Sequence, residues 1–496
     1  MSPDRRTFLK YASGVLGGSL LAACGVETSP AADRDVGGAI QLPNGYRFHA
    51  VKRDGDALPD GHRIANLRYD AAIGGGAVAY TAFDEEGRLA LHRLHLDVRD
   101  GVPHVGEERT LVRELDPFDG GRATTVGGYD VDEDGDVVLA HETLRWEDPI
   151  PVEALEAHAD VHDAQFDAAS DLPGLPDDGF VYRRASAIYR FDARGAPEAI
   201  VRAGTPTDEG HVILGGFGPA LKRGRELLFS AGLEYAHPDT DLQDVGDGVW
   251  YVADLRKGAA SARLVQRAGI LPAAAFDVDR LSVDGVVSGF GLLDLQPGGR
   301  YALQALAGDP NLPDDDGTTP EFAGSLLLAG TATRTGSARV LSAPRRSGLT
   351  PSSDRDAIGV ADLASGPRVA ADGTVGSVAQ FEDGSQRVYV GGRLFAASGD
   401  VSPSGHVLES FLPPVFGPQG ETYVVAGSES AMELLAFDGV SVRTLLATDD
   451  TLVGDPRAVS MLTLGTLIHH VDRDGTLAFT ALLDDGSSAL VIGVPT

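Results

Sequence analysis

The sequence predicts an all-β protein, and within that class a β-propeller of seven blades with four antiparallel strands each. Composition is the first reason: the chain of 496 residues has 63 glycines and 6% aromatic residues, which suits many short strands better than a helical bundle. Local pattern is the second, because residues 442–494 break into short apolar runs separated by Asp-Gly turns, as antiparallel strands joined by hairpins do. Repetition of such units along the chain is the third.

The opening strands of the repeated units predict seven of them. The clearest internal match joins residues 199–204 to residues 264–269. The other opening strands are expected at residues 46–51, 111–113, 340–341, 393–396 and 443–447. Their spacing is uneven, so the longer units must carry insertions in loops.

Seven units over this length fit a closed ring, because radial repetition leaves no long exposed sheet edge. Closure requires the two ends of the chain to meet in one blade. We expect residues 39–42 to complete the blade that ends at Val494. Six or eight blades, a solenoid or packed β-sandwiches are the structural alternatives.

The first 24 residues are typical of an export signal rather than of a folded element. The paired arginines and the residues after them resemble a twin-arginine signal, a resemblance carried by Arg5, Arg6, Phe8, Leu9 and Lys10. The following Leu-Ala-Ala-Cys-Gly resembles a lipobox, whose cysteine carries the lipid after cleavage. Cys24 is the only cysteine in the chain, which argues against a core or catalytic thiol. A plain secretory signal is the alternative.

The domain organisation follows from this signal. Residues 25–37 are small and polar and are expected to form a flexible tether. Residues 38–496 are expected to form the propeller, with a polar insertion at about 145–178. No later segment approaches eighteen apolar residues, so we expect no membrane span. The protein is then an exported lipoprotein, anchored to a membrane of the cell envelope on the periplasmic or cell-surface side.

The charge of the chain excludes one class of partner. Seventy-three acidic residues against 41 basic ones give a formal net charge of −32. Nucleic-acid binding requires a concentrated positive surface, so we expect no nucleic-acid partner. The simplest interpretation is an acidic exterior that resists aggregation, and a high-salt habitat or a GC-rich genome would produce the same composition.

The repeat resembles that of exported bacterial β-propeller-like proteins, whose units combine Leu-Val-Ala-x-x-Gly-x-x-x-Pro with Gly-x-Val-Ala-Phe-x-Ala. The pattern is matched at residues 200–206, 264–272 and 474–481, and loosely at residues 248–252. Its motifs are structural, so the resemblance implies a fold and an exported location but brings no catalytic residue with it.

One run of carboxylates suggests a calcium site. Alternating acidic residues before a glycine turn can surround a hard cation with oxygen ligands, and the candidate ligands are Asp130, Asp132, Asp134 and Asp136. The twelfth position of a helix-loop-helix calcium site falls on His141 rather than on Glu. The alternative is an ordinary solvated hairpin turn, which residues 470–475 in the last unit resemble.

A second candidate metal site lies in the polar insertion. Residues 152–167 have a helical pattern, and His158 and His162 are four residues apart, which would place them on one helix face at a spacing that zinc sites use. A polar helical insertion with two exposed histidines is the alternative. The pairs His92/His95 and His469/His470 lie in strand-like runs, where side chains alternate between faces, so neither pair can bind one metal.

The function that these observations favour is that of a binding or scaffold module with an unidentified protein or small-molecule ligand. No nucleophile elbow, phosphate loop or dinucleotide fingerprint is present in the sequence. The alternative is a divalent-metal-dependent hydrolase or lactonase, with calcium or another divalent cation in the channel. A convergence of buried carboxylates and histidines from three or more blades at the axis would favour that alternative.

Overall fold

The computed structural model describes residues 45–124, 126–151, 166–168, 180–236, 243–268, 286–313, 320–333, 339–344, 358–360, 362–438, 441–465 and 469–496. All of them belong to one compact unit, Gly38–Thr496. The regular secondary structure of the described residues consists of strands, apart from two short 3₁₀ turns at Leu255–Lys257 and Ala259–Ser261. The predicted export signal, Cys24 and the tether lie outside the described residues.

The strands form seven sheets, which are the seven blades of a β-propeller. All pairings are antiparallel except one short parallel pair in blade 4. The predicted fold class and the blade number are therefore confirmed.

Strands of the first three blades have the following bounds, in chain order. Blade 1 contains β2 (Ile64–Gly74), β3 (Ala77–Asp84), β4 (Leu89–Arg99) and β5 (Val102–Arg113). Blade 2 contains β6 (Pro117–Phe118), β7 (Gly121–Ala123), β8 (Tyr129–Val131), β9 (Val137–Pro151), β10 (Phe166–Ala168), β11 (Phe180–Phe191) and β12 (Pro197–Arg202). Blade 3 contains β13 (Thr205–Pro206), β14 (Val212–Ile213), β15 (Ala220–Arg223), β16 (Glu226–Ala236), β17 (Gln243–Val252) and β18 (Arg263–Ala268).

The next three blades continue the ring. Blade 4 contains β19 (Val286–Gln296), β20 (Arg300–Pro313), β21 (Pro320–Thr331), β22 (Arg339–Pro344) and β23 (Ile358–Val360). Blade 5 contains β24 (Asp362–Val369), β25 (Val375–Gln380), β26 (Gln386–Val390) and β27 (Arg393–Ala397). Blade 6 contains β28 (Ser410–Phe411), β29 (Val415–Phe416), β30 (Thr422–Gly427), β31 (Met432–Phe437) and β32 (Val442–Ala447).

Blade 7 closes the ring with strands from both ends of the propeller. Its inner strands are β33 (Val459–Leu462), β34 (Leu477–Leu483) and β35 (Ser488–Pro495), and its outer strand is β1 (Tyr46–Arg53). β1 pairs antiparallel with β35 from Tyr46↔Pro495 to Arg53↔Ala489. The expected closure is confirmed, and β1 supplies the outer strand that closes blade 7. Residues 39–42, which were expected to do this, lie outside the described residues.

The seven predicted opening strands are real strands, but their place in the unit was wrong. Each one lies on the outer side of its blade, as β5, β12, β18, β22, β27, β32 and β1 show, and in blade 4 the short β23 pairs outside β22. Residues 443–447, for example, belong to blade 6 and not to the last blade. The reason is that an outer strand and the loop after it lead directly to the next blade, so the sequence repeat spans two blades instead of coinciding with one.

The blades are held by apolar layers between neighbouring sheets. Because both faces of a blade are covered, strands such as β30 are buried throughout instead of alternating. One such layer joins the first and last blades, with Ile64 and Leu67 packed in the same cluster as Leu490 and Ile492. Full burial of one such side chain is worth about 1.5–3 kcal/mol, so this layer supports ring closure together with the β1–β35 ladder.

The predicted helical insertion is only partly described. Phe166–Ala168 is a strand that pairs with β11, so that part of the helix prediction was wrong. His158 and His162 lie outside the described residues. Among the residues that the structure describes, no helix has the length and apolarity required to cross a membrane.

Candidate functional site

The inner hairpin turns of the blades repeat one backbone pattern. In blade 2 the Asp132 N–H donates to the Asp136 carbonyl at 3.0 Å and the Gly135 N–H donates to the Asp132 carbonyl at 3.0 Å. The same two bonds recur at residues 370–374, 417–421 and 472–476. The turn needs a residue with positive φ, which Gly135 supplies at 79°. The acidic run that suggested calcium is therefore the inner hairpin of blade 2.

These turns surround one end of the central channel, where all seven blades line a cavity of about 310 Å³. Each inner strand contributes residues where it enters its turn, namely Gly74, Asp132, Arg223, Gln296, Ala370, Gly417 and Asp472. The Asp472 carboxylate also accepts hydrogen bonds from the Gly75 and Gly76 N–H groups at 3.2 Å. The closing contact between blades 7 and 1 is thus part of the cavity wall.

Charged and titratable side chains meet just inside the turns. Four of them stand two residues before their turn: Asp130 in blade 2, Asp294 in blade 4, Arg368 in blade 5 and His470 in blade 7. All four are buried. Buried charges cost free energy unless they are paired, so the partners of each one decide what the site can do.

Asp130 is held by groups from blades 3 and 7. Its Oδ2 accepts a hydrogen bond from Arg223 Nη1 at 2.8 Å, and its Oδ1 accepts one from the His469 N–H at 3.1 Å. The His469 ring is also within 3.2 Å of Asp130 through Nδ1. Burial alone would raise the pKa of Asp130, but Arg223 and His469 hold it well below its usual range. Asp130 is therefore a buried, ionised carboxylate.

Arg223 is the centre of this network. Besides Asp130, its Nε donates to the Leu295 carbonyl at 3.0 Å, and its Nη2 contacts the His469 ring, with 2.6 Å to Nε2. Arg223 Nη2 contacts both ring nitrogens of His469, and Nδ1 is also the nitrogen that faces Asp130. Burial lowers the pKa of Arg223, but Asp130 and Asp294 outweigh burial and raise it.

Asp294 joins blades 4 and 5. Its Oδ1 accepts from the Leu295 N–H and its Oδ2 accepts from the Val369 N–H, both at 2.8 Å. Arg223 Nη2 lies 3.9 Å from Asp294 Oδ1. Both oxygens of this carboxylate are thus used by backbone groups, which fixes the blade edges around the cavity.

Lys222 forms a second buried pair at the mouth. Its Nζ contacts Asp132 and lies 3.1 Å from Asp136 Oδ2. Burial by itself would lower the pKa of Lys222, but the carboxylates of Asp132 and Asp136 together have the larger effect and raise it. The lysine is therefore charged. Asp132 Oδ1 also caps its own turn, accepting from the Asp134 and Asp136 N–H groups at 2.9 and 3.0 Å.

This pairing bears on the calcium prediction. Asp130 and Asp132 each face a different basic residue, and Asp134 is exposed. Within the described part of the chain, no group of three or more His, Cys, Asp or Glu side chains is placed to hold a metal ion. The geometry therefore favours the hairpin-turn alternative, and calcium at Asp130, Asp132, Asp134 and Asp136 stays a prediction without support from it.

Arg368 differs from Lys222 and Arg223, the other buried cations around the cavity. Only 6% of its surface is exposed, and its Nη1 donates to the carbonyl of the preceding residue, Pro367, at 3.3 Å. Its Nη2 has no hydrogen-bond partner among the described residues. Burial lowers the pKa of Arg368, and the nearby carboxylates Asp294 and Asp130 offset that effect only in part.

The histidines of blade 7 have different roles. His470 is fully buried and its Nδ1–H donates to the Ala478 carbonyl at 2.9 Å. Burial lowers the pKa of His470 to about 3, so it is neutral at physiological pH.

The other histidine pair lies in β4 of blade 1. His92 is buried whereas His95 is exposed, as expected from alternating faces in a strand.

Sequence reasoning missed Lys222, Arg223, Asp294 and Arg368. The sequence does contain a signal for Asp294 and Arg368, because each stands five residues before a glycine of an inner turn. The same spacing holds for four pairs: Asp130 and Gly135, Asp294 and Gly299, Arg368 and Gly373, and His470 and Gly475. Aligning the inner turns instead of the outer strands would have placed these side chains together. Lys222 and Arg223 carry no such signal, since the blade 3 turn is shorter.

Convergence of carboxylates and histidines at the axis would favour a metal-dependent hydrolase over a binding module, and the structure meets this condition only in part. Carboxylates and histidines from blades 2, 4 and 7 do meet at the axis, through Asp130, Asp294 and His469. Arg223 lies between them and contacts all three. The positive charge between these side chains is therefore that of a protein group, the guanidinium of Arg223.

The solved structures similar to this chain include the Myceliophteria thermophila Cps50 (Swd1) beta-propeller domain, with 9% identity, a TM-score of 0.35, and 89% of this chain and 98% of that chain covered. They also include a Penicillium chrysogenum alpha-L-arabinanase complexed with arabinobiose (12% identity, TM-score 0.30, 90% and 98% covered) and a Trypanosoma rangeli sialidase (10%, 0.32, 92% and 59%). No protein-family model matches the chain. No curated protein matches it in sequence.

Proposed function

We propose that this protein is a lipid-anchored, extracytoplasmic β-propeller that binds a small molecule at the turn end of its central channel. The observation that carries the proposal is the cavity of about 310 Å³, which residues of all seven blades line and in which buried charged side chains meet. A cavity of this size suits a small ligand. Buried ion pairs are weak contributors to stability, so such a network at the axis points to a role in recognition.

Binding is better supported than metal-dependent hydrolysis. The carboxylates that would have to bind a divalent cation are held by Arg223, Lys222 or backbone N–H groups. A hard cation would have to displace these partners. Recognition of a ligand needs no such rearrangement, because polar groups and apolar surface already face the cavity.

Blocking the cavity tests this function. Ala371 lines the mouth and is exposed, so Ala371→Trp should fill the entrance without disturbing the core. Thermal melts of the wild-type protein against a panel of neutral sugars, small carboxylates and small amines should identify compounds that raise the melting temperature. A ligand at hundredfold excess over its Kd stabilises the native state by about 2.7 kcal/mol.

The expected result is that Ala371→Trp removes the ligand-induced shift while its own melting temperature stays near that of the wild type. Ala196→Trp, in the exposed turn between β11 and β12, is the matched control and should keep the shift. A panel without any stabilising compound, or equal shifts in both variants, would contradict binding in this cavity.

The proposed location rests on the twin arginines and the single cysteine of the N-terminal segment. Export by the twin-arginine route and a lipid on Cys24 would place the propeller outside the cytoplasm, next to a membrane. A ligand-binding propeller there would meet small molecules of the cell's surroundings.

A further inference from the structure

Arg368 places a guanidinium in the cavity wall, and part of its hydrogen-bonding capacity is not used by the described residues. The side chain lines the cavity and is 6% exposed, and its Nη2 has no partner among the described residues. A buried donor without a partner is unfavourable, and more so when it is charged. The arrangement is thus suited to a ligand that supplies an acceptor.

The neighbouring carboxylates do not fill this role. Asp130 uses its two oxygens for Arg223 and His469, and Asp294 uses its two for backbone N–H groups of blades 4 and 5. Arg223, and not Arg368, is in direct contact with Asp130, so the negative charge of this carboxylate compensates mainly Arg223. Among the buried cations around the cavity, Arg368 is left with less compensation than Lys222 or Arg223, as the lowered pKa of its guanidinium also indicates.

The other walls of the cavity indicate what kind of molecule could carry the acceptor. Blade 6 contributes an apolar wall through Val415, Phe416 and Pro418. Phe416 is half-buried and Pro418 is exposed, so both have surface available to a ligand. Apolar surface on one side and a guanidinium on another favour a molecule with a compact apolar body and one anionic group.

We propose that the cavity takes a small organic carboxylate, whose carboxylate pairs with the guanidinium of Arg368 and whose apolar body packs on Phe416 and Pro418. This inference rests on the proposed function, since it names the class of ligand for the same cavity. A planar guanidinium matches a carboxylate better than an ammonium does, so Arg368 is the residue that selects the anion.

Matched acids and amides test the charge requirement. Benzoate, phenylacetate and hexanoate should each be titrated by calorimetry beside benzamide, phenylacetamide and hexanamide, which have nearly the same shape but no charge. At least one acid should bind roughly tenfold tighter than its amide, as expected for a charge-assisted hydrogen bond. Arg368→Gln should abolish that preference, and Arg368→Lys should reduce it.

Arg473→Gln removes the exposed arginine of the mouth and should weaken the preference less than Arg368→Gln does. Because Arg473 belongs to the cavity wall, Arg256→Gln, at an exposed arginine that does not line the cavity, is the variant that should retain the full preference for the acid. If acids and amides bind the wild type equally, the carboxylate inference is wrong while the binding function stands. If none of the six compounds binds, the carboxylate inference is overturned, and the wider panel with Ala371→Trp decides the binding function separately. The wild-type ratio of affinities gives a result even where an Arg368 variant does not fold.

Discussion

At the scale of single residues, Arg223 decides how the channel network is held together. It joins Asp130 of blade 2, the Leu295 carbonyl of blade 4 and His469 of blade 7. Removing one partner of a buried ion pair leaves an uncompensated charge, which costs more than the pair itself contributes. The network is therefore sensitive to the loss of either member.

Arg223→Gln should lower the free energy of unfolding by about 3–5 kcal/mol, as measured by urea denaturation. Arg256→Gln is the control, because the Arg256–Asp254 pair is at the surface, with 64% of the arginine side chain exposed, and such a change should stay within about 0.5 kcal/mol. The double variant Arg223→Gln, Asp130→Asn should recover part of the loss. Similar losses in Arg223→Gln and Arg256→Gln would count against the network.

A buried histidine makes the stability depend on pH. His141 packs edge-on against Phe118, and neither ring nitrogen has a partner among the described residues. Burial lowers the pKa of His141 to about 4, against about 6.5 in an unfolded chain. The unfolded chain therefore binds the proton more readily, and stability present above pH 6.5 is lost as the pH falls toward 4.

His141→Leu should flatten this dependence. The wild type should lose roughly 3 kcal/mol through this one group between pH 6.5 and 4, and the variant should not. His92 and His470, whose pKa values burial also lowers, to about 4 and about 3, remain in the variant, so a part of the slope persists. Urea denaturation over that pH range is the measurement, and an unchanged profile would contradict the assignment.

At the scale of elements, the inner hairpins must approach one another closely for the ring to close around so narrow a cavity. The turn of blade 1 has three glycines, Gly74, Gly75 and Gly76. A Cβ added at Gly74 would lie well inside the contact distance of the Asp132 carbonyl oxygen. The glycine thus permits the backbone of blade 1 to lie directly against the acidic turn of blade 2.

Gly74→Ala should accordingly destabilise the protein by about 1–3 kcal/mol, as overpacking does. Gly128→Ala is the matched control, because it lies at the start of the inner strand of blade 2 with no atom within 4 Å of its added Cβ. Neither glycine has a positive φ, so the comparison isolates the close approach. Thermal melts of the two variants test this, and equal melting temperatures would show that the turns can separate at no cost.

At the scale of the whole molecule, the ring is closed by its own ends, and the chain before β1 leads from the proposed anchor. Closure by a β1–β35 ladder requires Tyr46–Arg53 to be present when the last blade forms. The propeller domain is therefore expected to fold independently of the residues that precede it. Location and fold can then be tested separately.

Cys24→Ala should release the protein from the membrane fraction without changing its melting temperature, because the lipid is expected to be the attachment. Fractionation after a salt wash, with the wild type beside it, is the measurement. Arg5→Lys combined with Arg6→Lys should instead block export. A Cys24→Ala protein that still sediments with membranes would contradict the anchor, and normal export of the lysine variant would indicate the general secretory route.

The sequence by itself determined the class of fold, the number of blades and the expectation that the two ends meet. These follow from local properties, since Asp-Gly turns and runs such as residues 477–483 specify hairpins wherever they occur. The closing strand and the boundary of each blade were not determined, because Tyr46–Arg53 and the other outer strands have the same apolar pattern whichever sheet they join.

Only the tertiary structure decided the candidate site. Asp130 and Arg223 are 93 positions apart in the chain, and Arg223 and His469 are 246 apart, so no local pattern relates them. Residues 130–136 resemble a calcium loop as a sequence, but their partners, Lys222 and Arg223, come from the next blade. The physical reason is that a closed ring brings one short segment of each blade to its axis, and the chemistry there depends on which side chains meet across it.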